Sequence, residues 1–340
     1  MDKVCVAILN WNGSALLRRF LPSVLEHSTW HGMPVQVVVA DNGSTDDSLR
    51  VLGEEFPRVR VLPFERNWGF SGGYNRTLEA LDAEYVLLLN SDVRVSCGYL
   101  DALVDALEKN PCLAACQPKI LSLNDPECFE YAGASGGYLD ALGYPYCRGR
   151  VFESLEEDRG QYDHVADIHW ASGAALMVRR SCYLSAGGLD EEFFAHMEEI
   201  DLCCRMRRMG WRVMALPQSR VYHLGGATLD KADSRKTFLN FRNNLLLLVK
   251  NLPLGRLLAV LSLRLVLDYV AAGQMLLKGQ GKHAAAVVKA RWSFLSMARR
   301  MRKKYRDSLL KKDTTNVLGR KLILLSYHLL GRKTFDKIGA

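Results

Sequence analysis

Three groups of polar side chains follow apolar runs, at the points where the sequence predicts that strands end. They are Asn10 after residues 4–9, Asp41 and Asn42 after residues 35–40, and Asn90, Ser91 and Asp92 after residues 85–89. Open α/β sheets bind their ligands at the carboxyl ends of the strands, so we expect these side chains to bind substrate. A carboxylate such as Asp41 can accept a hydrogen bond from a nucleotide base or ribose, although it can equally serve only to form a turn.

Two segments indicate which class of ligand the predicted site binds. The loop of residues 67–75 is rich in glycine, with Gly69, Gly72 and Gly73, and a loop of this kind can wrap a nucleotide. A dinucleotide-binding fold would carry Gly-x-Gly-x-x-Gly after its first strand, but this chain has Asn10-Trp11-Asn12-Gly13 there. The pattern therefore argues against a dehydrogenase.

Apolar periodicity predicts that alternating strands and helices position these residues. Strands are predicted at residues 4–9, 35–40, 60–63, 85–89, 113–119 and 168–178. Helices are predicted at residues 16–25, 45–56, 101–108 and 199–209, and a further helix follows the glycine-rich loop and ends at residue 81. Repeated strand–helix units predict an α/β fold with a mostly parallel sheet flanked by helices. The glycine-rich residues 122–167 predict a flexible region on the acceptor side, although ordinary connecting structure would have the same composition.

The charge of the chain divides at about residue 234. Residues 1–234 carry 22 lysine and arginine against 33 acidic residues, whereas residues 235–340 carry 23 against 4, and the net charge is +8. We therefore predict a catalytic domain over residues 1–234 and a basic helical extension over residues 235–340. An anionic membrane surface is a better partner for the extension than nucleic acid, because no nucleic-acid-binding motif is present and the adjoining body is acidic.

Residues 254–282 of this extension predict a helix with a narrow polar stripe on an otherwise apolar surface. The stripe contains Arg256, Arg264, Asp268, Gln274, Lys278 and Lys282, and a basic cluster follows at residues 299–306. Such a helix suits the membrane interface, with the cluster against anionic headgroups, but it could instead pack on the catalytic domain. No run of about 18 uncharged apolar residues predicts a membrane span. The nine scattered cysteines suggest reduced thiols, and we expect a cytoplasmic protein, peripheral on the inner face of the membrane.

Seven segments, in order along roughly two thirds of the chain, together resemble the family 2 glycosyltransferases and in particular their rhamnosyltransferase-like branch. The segments are residues 6–13, 41–46, 67–75, 88–93, 172–175, 188–194 and 198–202. The resemblance implies a GT-A fold and transfer of a sugar, with rhamnose the leading candidate, from a dTDP- or UDP-sugar to a glycan or lipid-linked glycan in cell-surface polysaccharide synthesis. It also implies that Gly69 and Phe70 contact the donor, and that Asn75 either contacts the donor or caps the helix that follows.

The resemblance further implies a divalent cation, Mg²⁺ or Mn²⁺, that neutralises the leaving diphosphate. Asp92 is the one carboxylate of residues 90–92 and would be a ligand, and His223 would be a second ligand unless it is a core histidine. The implied general base of an inverting reaction is Glu199, where the family more often carries aspartate. Asp201 is the alternative base, and the acidic cluster around it could equally be placed to suit the helix dipole.

Two other functions fit part of the pattern. A nucleotidyltransferase would share the sheet and the metal, but it would require a basic triphosphate-binding loop near the first strand, and none is seen. An inactive peripheral membrane scaffold of the same fold would not need Asp41, Asp92, Glu199 and His223 together.

Overall fold

A computed structural model describes residues 2–225, 233–307 and 317–339 of the chain. Residues 226–228, which end the region of family resemblance, lie outside the described residues, as do the side chains of the basic cluster beyond Lys304. The described strands are β1 (Asp2–Asn10), β2 (Thr29–Trp30), β3 (Met33–Pro34), β4 (Gln36–Asp41), β5 (Arg60–Pro63), β6 (Ala83–Asn90), β7 (Val93–Val95), β8 (Leu113–Ser122), β9 (Gly137–Leu139), β10 (Pro145–Cys147), β11 (Arg150–Val151), β12 (Ser154–Leu155), β13 (Ala166–Asp167), β14 (Ala175–Arg179) and β15 (Arg212–His223). The described α-helices are α1 (Ser14–His27), α2 (Ser48–Glu55), α3 (Gly69–Ala80), α4 (Asp101–Lys109), α5 (Arg180–Ser185), α6 (Glu198–Arg208), α7 (Ser234–Asn251), α8 (Leu254–Leu277), α9 (Gly281–Asp307) and α10 (Phe335–Ile338). A 3-10 turn at Glu191–Phe193 and a π-helical turn at Leu325–Leu329 complete the described helical segments.

The central sheet contains nine of the described strands, in the order β13-β15-β8-β14-β6-β1-β4-β5, with β7 paired to β15. Strands β6, β1, β4 and β5 are parallel, whereas β14 is antiparallel to both of its neighbours. The apolar run in β1 is continuous because both faces of the strand are covered: Val6 and Ile8 belong to one buried cluster, and Cys5 and Ala7 belong to the other.

Helices cover both faces of this sheet. Leu21 of α1 and Leu103 of α4 pack in the cluster on one face, while Leu78 of α3 and Leu202 of α6 pack in the cluster on the other. The predicted α/β fold, with a largely parallel sheet between layers of helices, is therefore confirmed.

Two strands of the sheet differ from the sequence prediction. The strand predicted over residues 168–178 is confined to β14, since residues 168–174 form a turn in which Trp170 makes one bridge to Gly137. The long strand β15 is not predicted at all. Its pattern is interrupted because the register shifts between Leu216 and Arg220, and the residues at this irregularity are polar or proline.

Residues 122–167 are not the flexible region that their glycine content predicts. Strands β9 to β12 form a four-stranded antiparallel sheet, and the rings of Tyr138 and Tyr146 are buried against Phe335 from the far end of the chain, with ring centroids 5.2 and 5.8 Å away. Gly149 has a φ of +105°, and a Cβ atom there would lie 2.4 Å from the ring of Phe129. This glycine therefore serves close packing rather than flexibility.

The extension packs on the same face of the sheet as α6. Leu245 and Leu246 of α7 and Phe294 of α9 share the buried cluster that contains Leu202 of α6. The described residues 317–339 return to the small sheet, where the Phe335 N–H donates to Glu156 Oε1 at 2.8 Å.

The helix predicted over residues 254–282 ends at Leu277, and only the middle of its polar stripe points towards the protein, since Gln274, Lys278 and Lys282 are exposed. Arg264 and Asp268 are buried and 3.2 Å apart, and Arg264 also donates to the Leu142 carbonyl at 3.1 Å. The apolar side chains on the outer surface of the helix, such as Leu258 and Val266, are exposed. Within the described ranges, no helix is long and apolar enough to cross a membrane. The polar side of α8 thus packs on the body at Arg264 and Asp268, and its apolar side is exposed.

Candidate active site

A cleft of about 490 Å³ opens at the carboxyl ends of β6 and β15. Asn90 is the last residue of β6 and His223 is the last residue of β15, and the start of α6 forms another wall. The structure brings together in this cleft five of the residues that the sequence predicts for the site: Phe70, Asn90, Asp92, Glu199 and His223. Ser91 is half-buried between two of these residues and does not itself line the cleft.

Asp92 and His223 converge in the cleft. His223 Nε2 lies 3.1 Å from Asp92 Oδ1 and 3.5 Å from Asn90 Nδ2, and both Asp92 and His223 are buried. Two ligands that are each about 2.1 Å from a cation and at right angles to each other lie about 3.0 Å apart, so this separation suits neighbouring ligands of one octahedral ion.

The donor set determines which kind of cation site this can be. Among the residues that the structure describes, no three His, Cys, Asp or Glu side chains are grouped to hold a metal. Mg²⁺ commonly takes only one or two protein ligands and completes its shell with substrate phosphates and water. Asp92 and His223 therefore fit a divalent cation that is shared with a bound diphosphate.

Glu130 lies behind His223. Its Oε2 is 3.5 Å from His223 Nδ1 and accepts the Ala132 N–H at 2.5 Å. Burial alone would lower the pKa of His223, but Asp92 and Glu130 outweigh it and raise the pKa to about 10. At this pKa the imidazole is protonated at neutral pH, so a cation would have to displace the proton on Nε2. The carboxylate of Glu130 at Nδ1 would then orient the histidine and strengthen it as a ligand. The sequence analysis missed Glu130 because no spacing relates it to His223.

Glu198 and Glu199 start α6 and face the cleft. The Oε2 atom of each is buried without a hydrogen-bond partner among the described residues. Burial raises the pKa of Glu199 from 4.5 to about 7, and burial together with the neighbouring Glu199 raises the pKa of Glu198. A carboxylate with a free oxygen and a pKa near neutrality can accept a proton from a hydroxyl group in the cleft.

Asp201 is not among the residues that line the cleft, although it is only two positions from Glu199. It accepts hydrogen bonds from Arg205 Nε at 2.8 Å, Lys250 Nζ at 2.7 Å and Asn251 Nδ2 at 2.8 Å. Burial would raise the pKa of Asp201, but the charges of Arg205 and Lys250 outweigh it and keep the pKa below its usual range. The geometry thus favours Glu199 over Asp201 as the base.

The residues predicted to bind the nucleotide form a second cluster, at the carboxyl ends of β1 and β4. Asp41 is buried, and its two oxygens accept hydrogen bonds from Asn10 Nδ2 at 3.0 Å and from the Ser44 N–H at 2.9 Å. These contacts are the turn-forming role that the sequence left open. Since a carboxylate oxygen can accept two hydrogen bonds, contact between Asp41 and a donor stays a prediction.

Asn42 fixes the glycine-rich loop to the end of β4. Its Nδ2 donates to Asn67 Oδ1 and to the Gly69 carbonyl, each at 3.0 Å, and its Oδ1 accepts the Trp68 N–H at 3.0 Å. Gly69 begins α3 with a φ of +71°, and the next residue, Phe70, reaches the cleft. Asn42 therefore connects the predicted nucleotide-binding cluster to the cleft, because the loop that it holds continues directly into Phe70.

The prediction that Asn75 caps a helix is wrong, because α3 already begins at Gly69. Asn75 Nδ2 donates to the Leu189 carbonyl at 2.8 Å, and its Oδ1 accepts the Leu189 N–H at 2.9 Å and the Tyr183 hydroxyl at 2.6 Å. These bonds tie α3 to the loop that precedes α6. They give Asn75 a structural role, and they lend no support to donor contact.

His196 and Lys236 also line the cleft, and no sequence pattern identified either of them. Burial, assisted by the charge of Lys236, lowers the pKa of His196 to about 4, so its imidazole is neutral at physiological pH. The two residues come from the loop before α6 and from the start of α7, which meet only in the folded chain.

Residues 5–128 match the family model described as "Glycosyl transferase family 2". The chain is 32% identical over 240 residues to N-acetylglucosaminyl-diphospho-decaprenol L-rhamnosyltransferase of Mycobacterium tuberculosis, with 65% of this chain and 76% of that protein covered.

Two solved structures have a similar fold. GalNAc-T7 with UDP, GalNAc and Mn²⁺ matches with a TM-score of 0.56 and 17% identity over 73% of this chain and 48% of that one, so this chain spans about half of its length. S. aureus TarS 1–349 matches with a TM-score of 0.52 and 15% identity over 89% of each chain. At these identities the likeness concerns the fold alone.

Proposed function

Because this chain belongs to glycosyl transferase family 2 and has the GT-A fold, it is a glycosyltransferase, and we propose that it inverts the configuration of the sugar that it transfers. The proposed donor is dTDP-L-rhamnose, with a UDP-sugar as the alternative, and the proposed acceptor is a lipid-linked glycan. The name of the M. tuberculosis relative supports L-rhamnose and a diphospho-lipid acceptor. The observation that carries the proposal is the Glu199 oxygen that has no hydrogen-bond partner among the described residues, in the cleft that also holds Asp92 and His223.

In the proposed reaction, Glu199 accepts the proton of the acceptor hydroxyl while that oxygen forms a bond to C1 of the sugar. The bond from C1 to the diphosphate oxygen breaks on the opposite face, so a single displacement inverts C1 and no covalent enzyme intermediate forms. A pKa of about 7 suits this role, since about half of the carboxylate is then ionised at neutral pH and it is still basic enough to hold the proton.

Asp92 and His223 would hold a divalent cation, Mg²⁺ or Mn²⁺, and Glu130 would orient His223. When bound, such a cation neutralises the charge that develops on the leaving diphosphate. The solved structure of similar fold that is described with UDP and Mn²⁺ supports a cation of this class.

The base and ribose of the donor are proposed to lie against Asn10, Asp41 and Asn42, and its diphosphate is proposed to extend to Asn90, Ser91 and Asp92. The connection that Asn42 makes to Gly69 supports this path, since the residue after Gly69 lines the cleft. Gly69 and Phe70 would then cover the donor, as the glycine-rich loop predicts.

The outer face of α8 and α9 is proposed to lie on the cytoplasmic face of a membrane. Leu258, Val266 and Leu277 of α8 and Trp292 and Leu295 of α9 are each at least 57% exposed. Large exposed apolar patches are uncommon on surfaces that face only water, and the basic composition of the extension adds attraction to anionic lipid. Peripheral attachment through this face would require no membrane span.

The start of α9 lies beside the start of α7, which borders the cleft. His283 Nδ1, at the start of α9, lies 2.7 Å from Thr237 Oγ1 of α7. Lys236, which directly precedes Thr237, lines the cleft. Leu277, at the end of α8, is 90% exposed. A diphospho-lipid acceptor is amphiphilic, so we propose that its lipid chain lies on the apolar face while its phosphate meets Lys236.

A transfer assay tests this function. The full-length protein is incubated with dTDP-L-rhamnose, Mg²⁺ and a polyprenyl-diphosphate-linked N-acetylglucosamine, and the anomeric configuration of the product is measured by NMR. We expect a rhamnosylated lipid of inverted configuration. Retained configuration would contradict the single displacement, and transfer from UDP-sugars but not from dTDP-L-rhamnose would contradict the proposed donor.

A further inference from the structure

We infer that Asn243, in the extension, is a positioning residue for the transfer reaction: it holds the turn that sets the direction of α6 and so aims Glu199 into the cleft. The inference rests on the proposed role of Glu199 as the base. It makes α7 part of the catalytic apparatus, in addition to any role that the extension has at a membrane.

The turn that Asn243 holds has an unusual backbone. Phe194, His196 and Met197 have φ angles of +67°, +68° and +76°, so three of four consecutive non-glycine residues are left-handed. Side chains with a Cβ atom rarely adopt this conformation, and it persists only where the surroundings determine it. The last of the three, Met197, directly precedes the first residue of α6.

Asn243 supplies the contacts that determine this conformation. It is fully buried, and its Nδ2 lies 2.8 Å from the Phe193 carbonyl oxygen, 2.7 Å from that of Ala195 and 2.8 Å from that of His196. Arg242 Nη2 adds a bond to the Phe193 carbonyl at 3.0 Å. The amide group of Asn243 is therefore within hydrogen-bond distance of three carbonyl oxygens, which the left-handed turn directs towards α7.

The same helix also anchors α6 beyond Glu199. Lys250 Nζ lies 2.7 Å from Asp201 Oδ2 and 2.6 Å from Asp190 Oδ2, and Asn251 Nδ2 donates to Asp201 Oδ1 at 2.8 Å. The start of α6 is thus fixed to α7 from both sides of Glu199: by Asn243 before it and by Lys250 and Asn251 after it. A displacement of about 1 Å in a catalytic group can lower turnover by about 100-fold, so this anchoring bears directly on the reaction.

Asn244 provides a matched control for Asn243. It is the next residue of the same helix and is also buried, and its Nδ2 donates to a loop carbonyl, that of Gly143, at 2.6 Å. Neither Asn244 nor Gly143 lines the cleft. Asn243→Ala and Asn244→Ala therefore remove the same chemical group from buried sites, but only the first change reaches the turn before Glu199. The second change also removes the Asn244 amide oxygen that accepts a hydrogen bond from buried Arg264, away from that turn.

The experiment measures kcat, the donor Kd, the melting temperature and the pH–rate profile for both full-length variants. We expect Asn243→Ala to lower kcat by about 10- to 100-fold with the donor Kd within about twofold of the parent, and to displace the acidic limb of its pH profile. Asn244→Ala should lose at least as much thermal stability and keep kcat within about twofold. Asn243→Ser, which retains one donor, should recover part of kcat, and it replaces Asn243→Ala if the alanine variant does not fold.

Parent-like kcat in Asn243→Ala, or an equal loss of kcat in Asn244→Ala, would overturn the inference. Glu199→Gln, assayed in parallel, separates this result from a failure of the proposed function. A parent-like rate for Glu199→Gln would contradict the assignment of Glu199 as the base and, with it, the positioning role of Asn243. A severe loss in Glu199→Gln beside a parent-like Asn243→Ala would overturn the positioning role alone.

Discussion

Replacing Glu199 with glutamine should make the protein both less active and more stable. The two effects have one physical cause, since the carboxylate is buried with one oxygen unpartnered. Ionised in this position, the group can take a proton from an acceptor hydroxyl, but its charge lacks the solvation that water would give. Glutamine has nearly the same shape and carries neither the charge nor the basicity.

The gain in stability follows from the pKa of Glu199. Its pKa is about 7 in the folded protein, against an ordinary value of 4.5, and each unit corresponds to about 1.36 kcal/mol. Because the folded protein holds this proton more tightly than the unfolded chain does, the free energy of unfolding falls as the pH rises from about 4.5 to about 7. The penalty amounts to about 3 kcal/mol at pH 8 and less than half of this at pH 5.5. The advantage of Glu199→Gln over the parent should therefore grow by about 2 kcal/mol between these pH values.

The loss of activity should be about 10²- to 10⁴-fold in kcat, the usual range for a positioned general base, with little change in donor binding. In the parent, the rate should fall about tenfold for each pH unit below about 7, since only the ionised carboxylate accepts a proton. The glutamine variant should lose this dependence. Glu199→Asp keeps an acid and should retain measurable activity.

Asp201→Asn is the matched control, because this acid lies two positions away in the same helix and is also buried. Its removal takes the carboxylate from buried Arg205 and leaves buried Lys250 paired with Asp190, so we expect a loss of about 3 kcal/mol in the free energy of unfolding. Chemical denaturation at pH 5.5 and 8 measures both variants, and turnover is measured with saturating donor. A glutamine variant that turns over like the parent, or that gains no stability at pH 8, would refute the reasoning for Glu199.

Three further predictions concern other parts of the molecule. Asp92→Ala and an excess of EDTA should each abolish transfer, with Mg²⁺ or Mn²⁺ restoring only the EDTA-treated parent, and full activity in EDTA would contradict the cation site. Asp41→Ala should raise the donor Kd, measured by calorimetry, about ten- to a hundredfold, and a stability loss with unchanged Kd would leave Asp41 only its turn-forming role. Leu277→Glu together with Val266→Glu should weaken sedimentation with anionic vesicles, whereas Leu49→Glu, at an exposed site on α2, should not, and equal binding by all variants would exclude this face of α8.

The sequence predicts most of the sheet and its polar strand ends because these features depend on local pattern. The strands that end at Asn10, Asp41 and Asn90 are continuous apolar runs, and parallel pairing brings their ends to one edge. Strand β15 is not predicted, because the register shift between Leu216 and Arg220 interrupts its apolar periodicity. The position of His223 in the fold therefore could not be predicted from periodicity, although resemblance identified the residue.

Other site features could not be predicted because they arise from contacts between distant segments. Glu130 meets His223 only after the loop that follows β8 folds against the end of β15. The left-handed turn before α6 has no glycine to indicate it, since Asn243 stabilises it from elsewhere in the chain. The burial that raises the pKa of Glu199 likewise arises only in the folded chain.

Helix α8 has buried charged residues and exposed apolar ones, the reverse of an ordinary surface helix, and this arrangement would link the proposed membrane attachment to catalysis. Arg264 and Asp268 of α8 are buried and hydrogen-bonded to each other, so neither charge is buried without a partner. The outer side of the helix is therefore free to be apolar. Its neighbour α7 presents Asn243 to the turn before Glu199, so one helical layer has an apolar outer surface and an inner surface that contacts the turn before the proposed base. A lipid-linked acceptor held at the outer surface would then meet a base whose position the same layer determines.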